Sequence, residues 1–144
     1  MLKELSQKAK AINVRELASD ILKQNSGLIT KLVEQQLTVG ESGKGSNVGK
    51  YKSAYYARFK QRIGSQAPSG VVDLKLSGDL YKGLFVDFKG TSYETDSKVD
   101  YSKYQIKRYG KEIYELQEPN EKDVEFQLQT KIIEDYLKRL GLSA

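Results

Sequence analysis

The chain has 144 residues, of which 38% are hydrophobic and 30% charged, and its formal net charge is +5. That is enough chain for one core in a single domain over 1–144, and the low apolar share points to a subunit that buries further surface against partners. It holds neither cysteine nor histidine, which excludes disulfides and thiolate metal sites and removes the usual general base, metal ligand and pH switch.

The first residues, MLKELSQKAKAINV, spread their charges and lack the apolar block of a secretory signal. No apolar run of about 18 residues exists to cross a membrane. From Asn13 a helix is expected. Asn13 suits the N-cap, and Glu16 stands three residues on. Leu17/Ala18, Ile21/Leu22, Leu28/Ile29, Leu32/Val33 and Leu37 recur at helical spacing. Asn25-Ser26-Gly27 interrupts the pattern and predicts a kink or a break into two helices. Val39-Gly40 ends it.

Residues 40–50 predict a flexible basic loop, with four glycines and two serines in GESGKGSNVG. Gly43-Lys44-Gly45-Ser46 looks like part of a phosphate-binding loop, but it lacks the Gly-x4-Gly-Lys-Ser/Thr spacing and follows a helix rather than a strand. Residues 40–75 hold seven basic residues against Glu41 and Asp73, which equals the whole net charge. Lys44, Lys50, Lys52, Arg58, Lys60 and Arg62 are therefore the candidate contacts to an acidic partner or to DNA.

Lys50 to Ile63 predicts a second helix, with Tyr51, Ala54, Tyr55, Arg58, Phe59 and Arg62 on one face. Its rings among cations would suit stacked bases of a single strand. The plainer expectation puts Tyr55 and Phe59 in the core and the cations in water. Pro68 then keeps Ala67 extended in a loop.

Val71 to Phe88 carries the sharpest local pattern. Val72, Leu74 and Leu76 alternate, Ser77-Gly78 makes a structural turn, and Leu76 and Leu80 point to the core. Leu84 to Phe88 reads as a strand, Lys89-Gly90-Thr91 as a turn, and Tyr93 to Val99 as a half-exposed partner strand. Asp79 and Asp87 are better read as a first-turn helix acid and an outward strand residue than as a catalytic pair. Glu94, Asp96 and Asp100 lack the ligand number of a dedicated cation site. Tyr101 to Arg108 predicts a short helix stopped by Gly110, and Ile113 to Leu116 an extended piece. Glu118-Pro119-Asn120 enters the last helix with Asn120 as cap. Val124, Leu128, Ile132, Ile133, Tyr136, Leu137 and Leu140 form its buried face, and Gly141 ends it. These elements make an α+β fold: a small antiparallel sheet flanked by a long N-terminal helix and a C-terminal helix. No catalytic, cofactor or metal set emerges, so the expectation is a protein that is not an enzyme and needs no cofactor.

Leu76-Ser77-Gly78-Asp79-Leu80 with the apolar strand after it, the preceding Tyr55-Tyr56-Ala57-x-x-Lys60 helix, and YGKEIYEL before a last helix resemble a phage morphogenesis family. These are the tail-completion, minor tail and head–tail joining proteins, and the similarity spans roughly Tyr51 to Leu140. The chain departs from the family's Glu-Phe-Gly segment, with Arg108-Tyr109-Gly110 in its place, and has Gln117-Glu118-Pro119 before the last helix. The resemblance implies a structural virion protein of the neck or tail, assembled in the bacterial cytoplasm. It implies a homo-oligomeric ring that meets portal or adaptor and tail-tube proteins, has transient contact with packaged DNA, and makes no membrane contact. A head-to-tail interface whose rotation closes would build such a ring, with loop 40–50 as an arm. The other reading of the same basic residues is a non-catalytic nucleic-acid-binding module.

Overall fold

A computed structural model describes residues 1–90 and 92–142. Helix α1 spans Leu2–Ala11, α2 Val14–Gln24, α3 Ser26–Thr38, α4 Ala54–Arg62 and α5 Asp79–Lys82. Strands β1 (Leu84–Lys89) and β2 (Ser92–Ser97) follow, then α6 (Ser102–Tyr109), a 3-10 turn (Lys111–Tyr114) and α7 (Glu118–Arg139). The fold is α+β, with the strands paired antiparallel from Leu84 opposite Ser97 to Lys89 opposite Ser92. Among the described residues no helix is long and apolar enough to cross a membrane.

The N-terminal helical region breaks where Asn25 interrupts its pattern. Asn13 caps α2 by accepting the Glu16 N–H at 3.2 Å, and the Asn25 side chain bonds back to the Ile21 carbonyl at 2.7 Å, closing that helix. Helix α2 packs on α7 and α3 on β1. Between them lies one apolar cluster containing Leu17, Ile29, Val33, Val72, Leu80 and Ile113. Each such fully buried aliphatic side chain is worth roughly 1.5–3 kcal/mol. Helix α1, a segment without a predicted element, contributes no buried residue.

A hydrogen-bonded centre joins α3 to the segment that enters α7. Buried Gln36 on α3 donates to the Glu115 carbonyl at 2.9 Å. Its own side-chain oxygen accepts the Gln117 N–H at 2.9 Å and the Asn120 amide at 2.8 Å. Asn120 is therefore not the cap expected of it. Gln117 holds that position, Pro119 lies in the first turn, and Asn120 spends its side chain on Gln36.

Several other expectations are corrected. Loop 40–50 folds back on the body rather than reaching out as an arm. Gly40, at φ +78°, turns the chain, the Ser42 N–H meets the Ser46 carbonyl at 2.8 Å, and the Gly43 N–H meets the Glu112 carbonyl at 2.7 Å. Val71, Val72 and Asp73 are buried in succession, so this segment does not alternate. Leu74 adopts φ +56°, which turns the chain outward and leaves Leu76 exposed instead of in the core. Ile113 and Tyr114 are buried in a 3-10 turn rather than forming part of an extended piece. On α7, Val124 and Leu128 are buried, as is Leu140 at its C-cap, whereas Ile133 and Leu137 are exposed, because the neighbouring helices cover a narrower stripe than seven apolar residues offer.

Candidate functional site

Helix α4 starts at Ser53, whose hydroxyl accepts the Tyr56 N–H at 3.2 Å. Its rotation about its own axis decides the site. The expected core residues Tyr55 and Phe59 are exposed, at 74% and 38%. Tyr56 and Lys60 face inward instead. Lys60 is buried to 2% exposure and pairs with Asp73 at 2.8 Å. It is thus not a contact for DNA or a partner, and the reading of α4 as a solvated basic face is corrected at this residue.

Asp73 organises its surroundings. It accepts from the Tyr51 hydroxyl at 3.2 Å, the Ser65 hydroxyl at 2.7 Å and the Lys75 N–H at 3.0 Å. Its own carbonyl accepts from the Tyr81 hydroxyl, and Lys60 also donates to the Lys75 carbonyl. Burial alone would push the Asp73 carboxyl up. The hydrogen bonds from Lys60, Lys75 and Ser65 outweigh that and hold it below the usual carboxylate range. Burial, then the charge of Asp73, pushes the Tyr51 and Tyr81 hydroxyls well up, so both stay protonated donors. This network clamps both sides of Leu74, whose left-handed backbone costs about 1–2 kcal/mol.

Above the network lies a cleft of about 570 Å³ between α4, segment 72–79 and α6. Lys52, Lys75 and Arg108 bring positive charge to its lining, against Asp79. None of these three cations is in an ion pair among the described residues. Tyr51, Tyr56, Tyr101 and Tyr109 supply ring surface. Tyr51 meets Tyr56 edge-on, with ring centres 5.0 Å apart. The Arg108 guanidinium lies 5.2 Å from the Tyr109 ring centre, and the Lys75 ammonium 5.6 Å from that of Tyr81. Leu76 stands at the cleft's edge, 68% exposed. Cations set against ring faces recognise anionic groups and flat or apolar surface together.

The six basic residues singled out in the sequence do not form one site. Lys52 lines this cleft, and Lys60 lies buried at its base. Lys44 is tied to Glu112 at 2.6 Å, which raises the lysine and lowers the glutamate from their ordinary values. Lys50, Arg58 and Arg62 are exposed but lie outside the lining. Sequence reading passed over Lys75 and Arg108 as site residues. The shared helical face of Tyr101, Tyr104 and Arg108 was the available signal, and only Tyr101 and Arg108 line the cleft. Ser77 and Gly78 do form the turn at its edge. Gly78 has φ +86°, and the Ser77 hydroxyl donates to Asp79 at 2.8 Å. Among protein-family models, curated proteins and solved structures, none matches this chain.

Proposed function

We propose that the chain is a structural subunit of a tailed-phage particle. It forms a ring in the neck or at the tail end, joins head to tail or completes the tail, and does no chemistry of its own. Its neighbours are then copies of itself, portal or adaptor proteins and tail-tube proteins, and its place is the virion. The order of elements and the Leu76–Leu80 turn, on which the family resemblance rests, support this reading. The observation that carries it is the unfinished surface around one cleft. Leu76 is left in water in the lining of a basic, tyrosine-lined recess, and Tyr55 and Phe59 on α4, Ile63 at its end and Tyr104 on α6 are exposed outside that lining, on the helices that flank it. Aromatic anchors within a polar setting are what a subunit interface offers a partner. Mass analysis of purified particles tests the reading. The protein is expected among the virion components in multiple copies, and its absence from intact particles overturns the proposal.

A second reading, the non-catalytic nucleic-acid-binding module, draws on the same cleft. Lys52, Lys75 and Arg108 would meet phosphates, and the tyrosines would stack bases. Its mark is oligonucleotide affinity that falls steeply with salt and is lost on Lys52→Ala with Arg108→Ala.

A further inference from the structure

The surface carries a second recess with the opposite character. A groove of about 460 Å³ runs between β2, the 3-10 turn and the start of α7. Glu94, Glu115, Glu121 and Glu125 line it, with Lys111 as its one lining cation. Lys111 is drawn to Glu94 at 3.1 Å, and Lys89 approaches the same carboxylate at 3.3 Å. Glu115, Glu121 and Glu125 have no ion pair among the described residues. Half-buried Tyr93 forms part of the lining with Leu116, so this groove too has apolar surface between its charges.

The two recesses share no lining residue. A two-fold contact of cleft on cleft would set Lys52, Lys75 and Arg108 against themselves, and one of groove on groove would do the same with glutamates. Like charges brought together in an interface are strongly unfavourable. Contact of the cleft with the groove satisfies both. Because these are different patches, that contact is head-to-tail and repeats from copy to copy.

We propose that the basic, tyrosine-lined cleft of one copy binds the acidic groove of the next, with Lys52, Lys75 and Arg108 set against Glu115, Glu121 and Glu125. This rests on the ring-forming reading and names the two surfaces that would build the ring. Leu76 and Tyr101 at the cleft are the apolar anchors of the contact, and the cations fix its direction.

Exchanging the charges tests the pairing, with self-association measured by sedimentation velocity and circular dichroism checking the fold. Lys52, Arg108, Glu121 and Glu125 are all exposed, so their replacement leaves the core untouched. The wild-type chain is expected to associate, less so as salt rises. Lys52→Glu with Arg108→Glu should weaken self-association by about a hundredfold, as should Glu121→Lys with Glu125→Lys. Mixing the two variants should restore assembly, since each then offers the other one native and one exchanged contact. A mixture that stays monomeric overturns the pairing. So does a wild-type chain that is monomeric at all concentrations, or a cleft variant that loses only oligonucleotide binding. Presence in the virion is measured separately, so a virion protein without this contact would sink the pairing and leave the structural role standing.

Discussion

Lys60 and Asp73 form an ion pair of 2.8 Å with side chains only 3% and 4% exposed, and it is the hinge between core and cleft. Removing one partner of a buried pair leaves the other charge without compensation. Lys60→Ala is therefore expected to cost about 3–5 kcal/mol of stability, measured by urea unfolding. Arg58→Ala and Arg62→Ala on the exposed side of the same helix should stay within about 0.5 kcal/mol. Equal effects at all three positions would contradict the orientation of α4.

The same pair gives the protein an acid limb. Asp73 is held below its ordinary value in the folded chain. A carboxyl depressed in this way stabilises the fold fully above its unfolded value, near pH 4, and loses that contribution as pH falls through the lower folded value. Stability should thus decline below about pH 4, and Asp73→Asn should flatten that decline while lowering stability at pH 7. Denaturation midpoints from pH 7 to pH 2 read both effects. A variant with the wild-type acid limb would assign that limb to other carboxylates.

Gln36 links α3 to the entry of α7 through three hydrogen bonds. Gln36→Ala leaves the Glu115 carbonyl and the Gln117 N–H without these partners, and should cost about 2–6 kcal/mol at roughly 1–3 per orphaned buried group. Gln36→Glu keeps the acceptor for Gln117 and Asn120 but places an oxygen against the Glu115 carbonyl, so it should not restore stability. Thermal melts compare the three chains.

Glycines separate backbone strain from crowding. At Gly78 a Cβ would meet open space, and only its φ of +86° resists substitution. Gly78→Ala should cost about 1–2 kcal/mol, the ordinary cost of a left-handed non-glycine residue. Gly40 adds a steric term to φ +78°, since a Cβ there would lie 2.5 Å from Val71 Cγ1. Gly40→Ala should accordingly be the more damaging of the two in melting temperature. The reverse order would show that the turn at Gly78 is more tightly held than its surroundings indicate.

Exposed apolar residues should matter for association and not for folding. Leu76→Ser and Tyr55→Ser remove side chains that are 68% and 74% exposed. Each should change unfolding free energy by no more than about 0.5 kcal/mol. Leu76→Ser should weaken self-association. A large loss of stability at Leu76 would return that residue to the core.

The sequence by itself determined where most elements begin and end. Asn13, Asn25, Gly78 and Gly110 act through their own backbone neighbours, so their signals are local, whereas the helix expected from Lys50 starts only at Ala54, after the Ser53 cap. Strand β1 was legible from the compact apolar run Leu84 to Phe88, and β2 from the half-exposed segment Tyr93 to Val99, while the expected turn residue Thr91 lies outside the described residues. What the sequence left open was which way each helix faces. The apolar stripe Tyr55–Phe59 and the cation Lys60 lie on the same short helix, and helical spacing alone favours burying the rings. Only the folded chain brings Asp73, thirteen residues further on, within 2.8 Å of Lys60. That partner, with the donors of Tyr51, Ser65 and Lys75 on the same carboxylate, makes burial of the lysine possible and turns the rings outward. The cleft has the same origin. Lys52, Lys75 and Arg108 come from three separate segments, and a spacing rule cannot register charges that meet only across the tertiary fold.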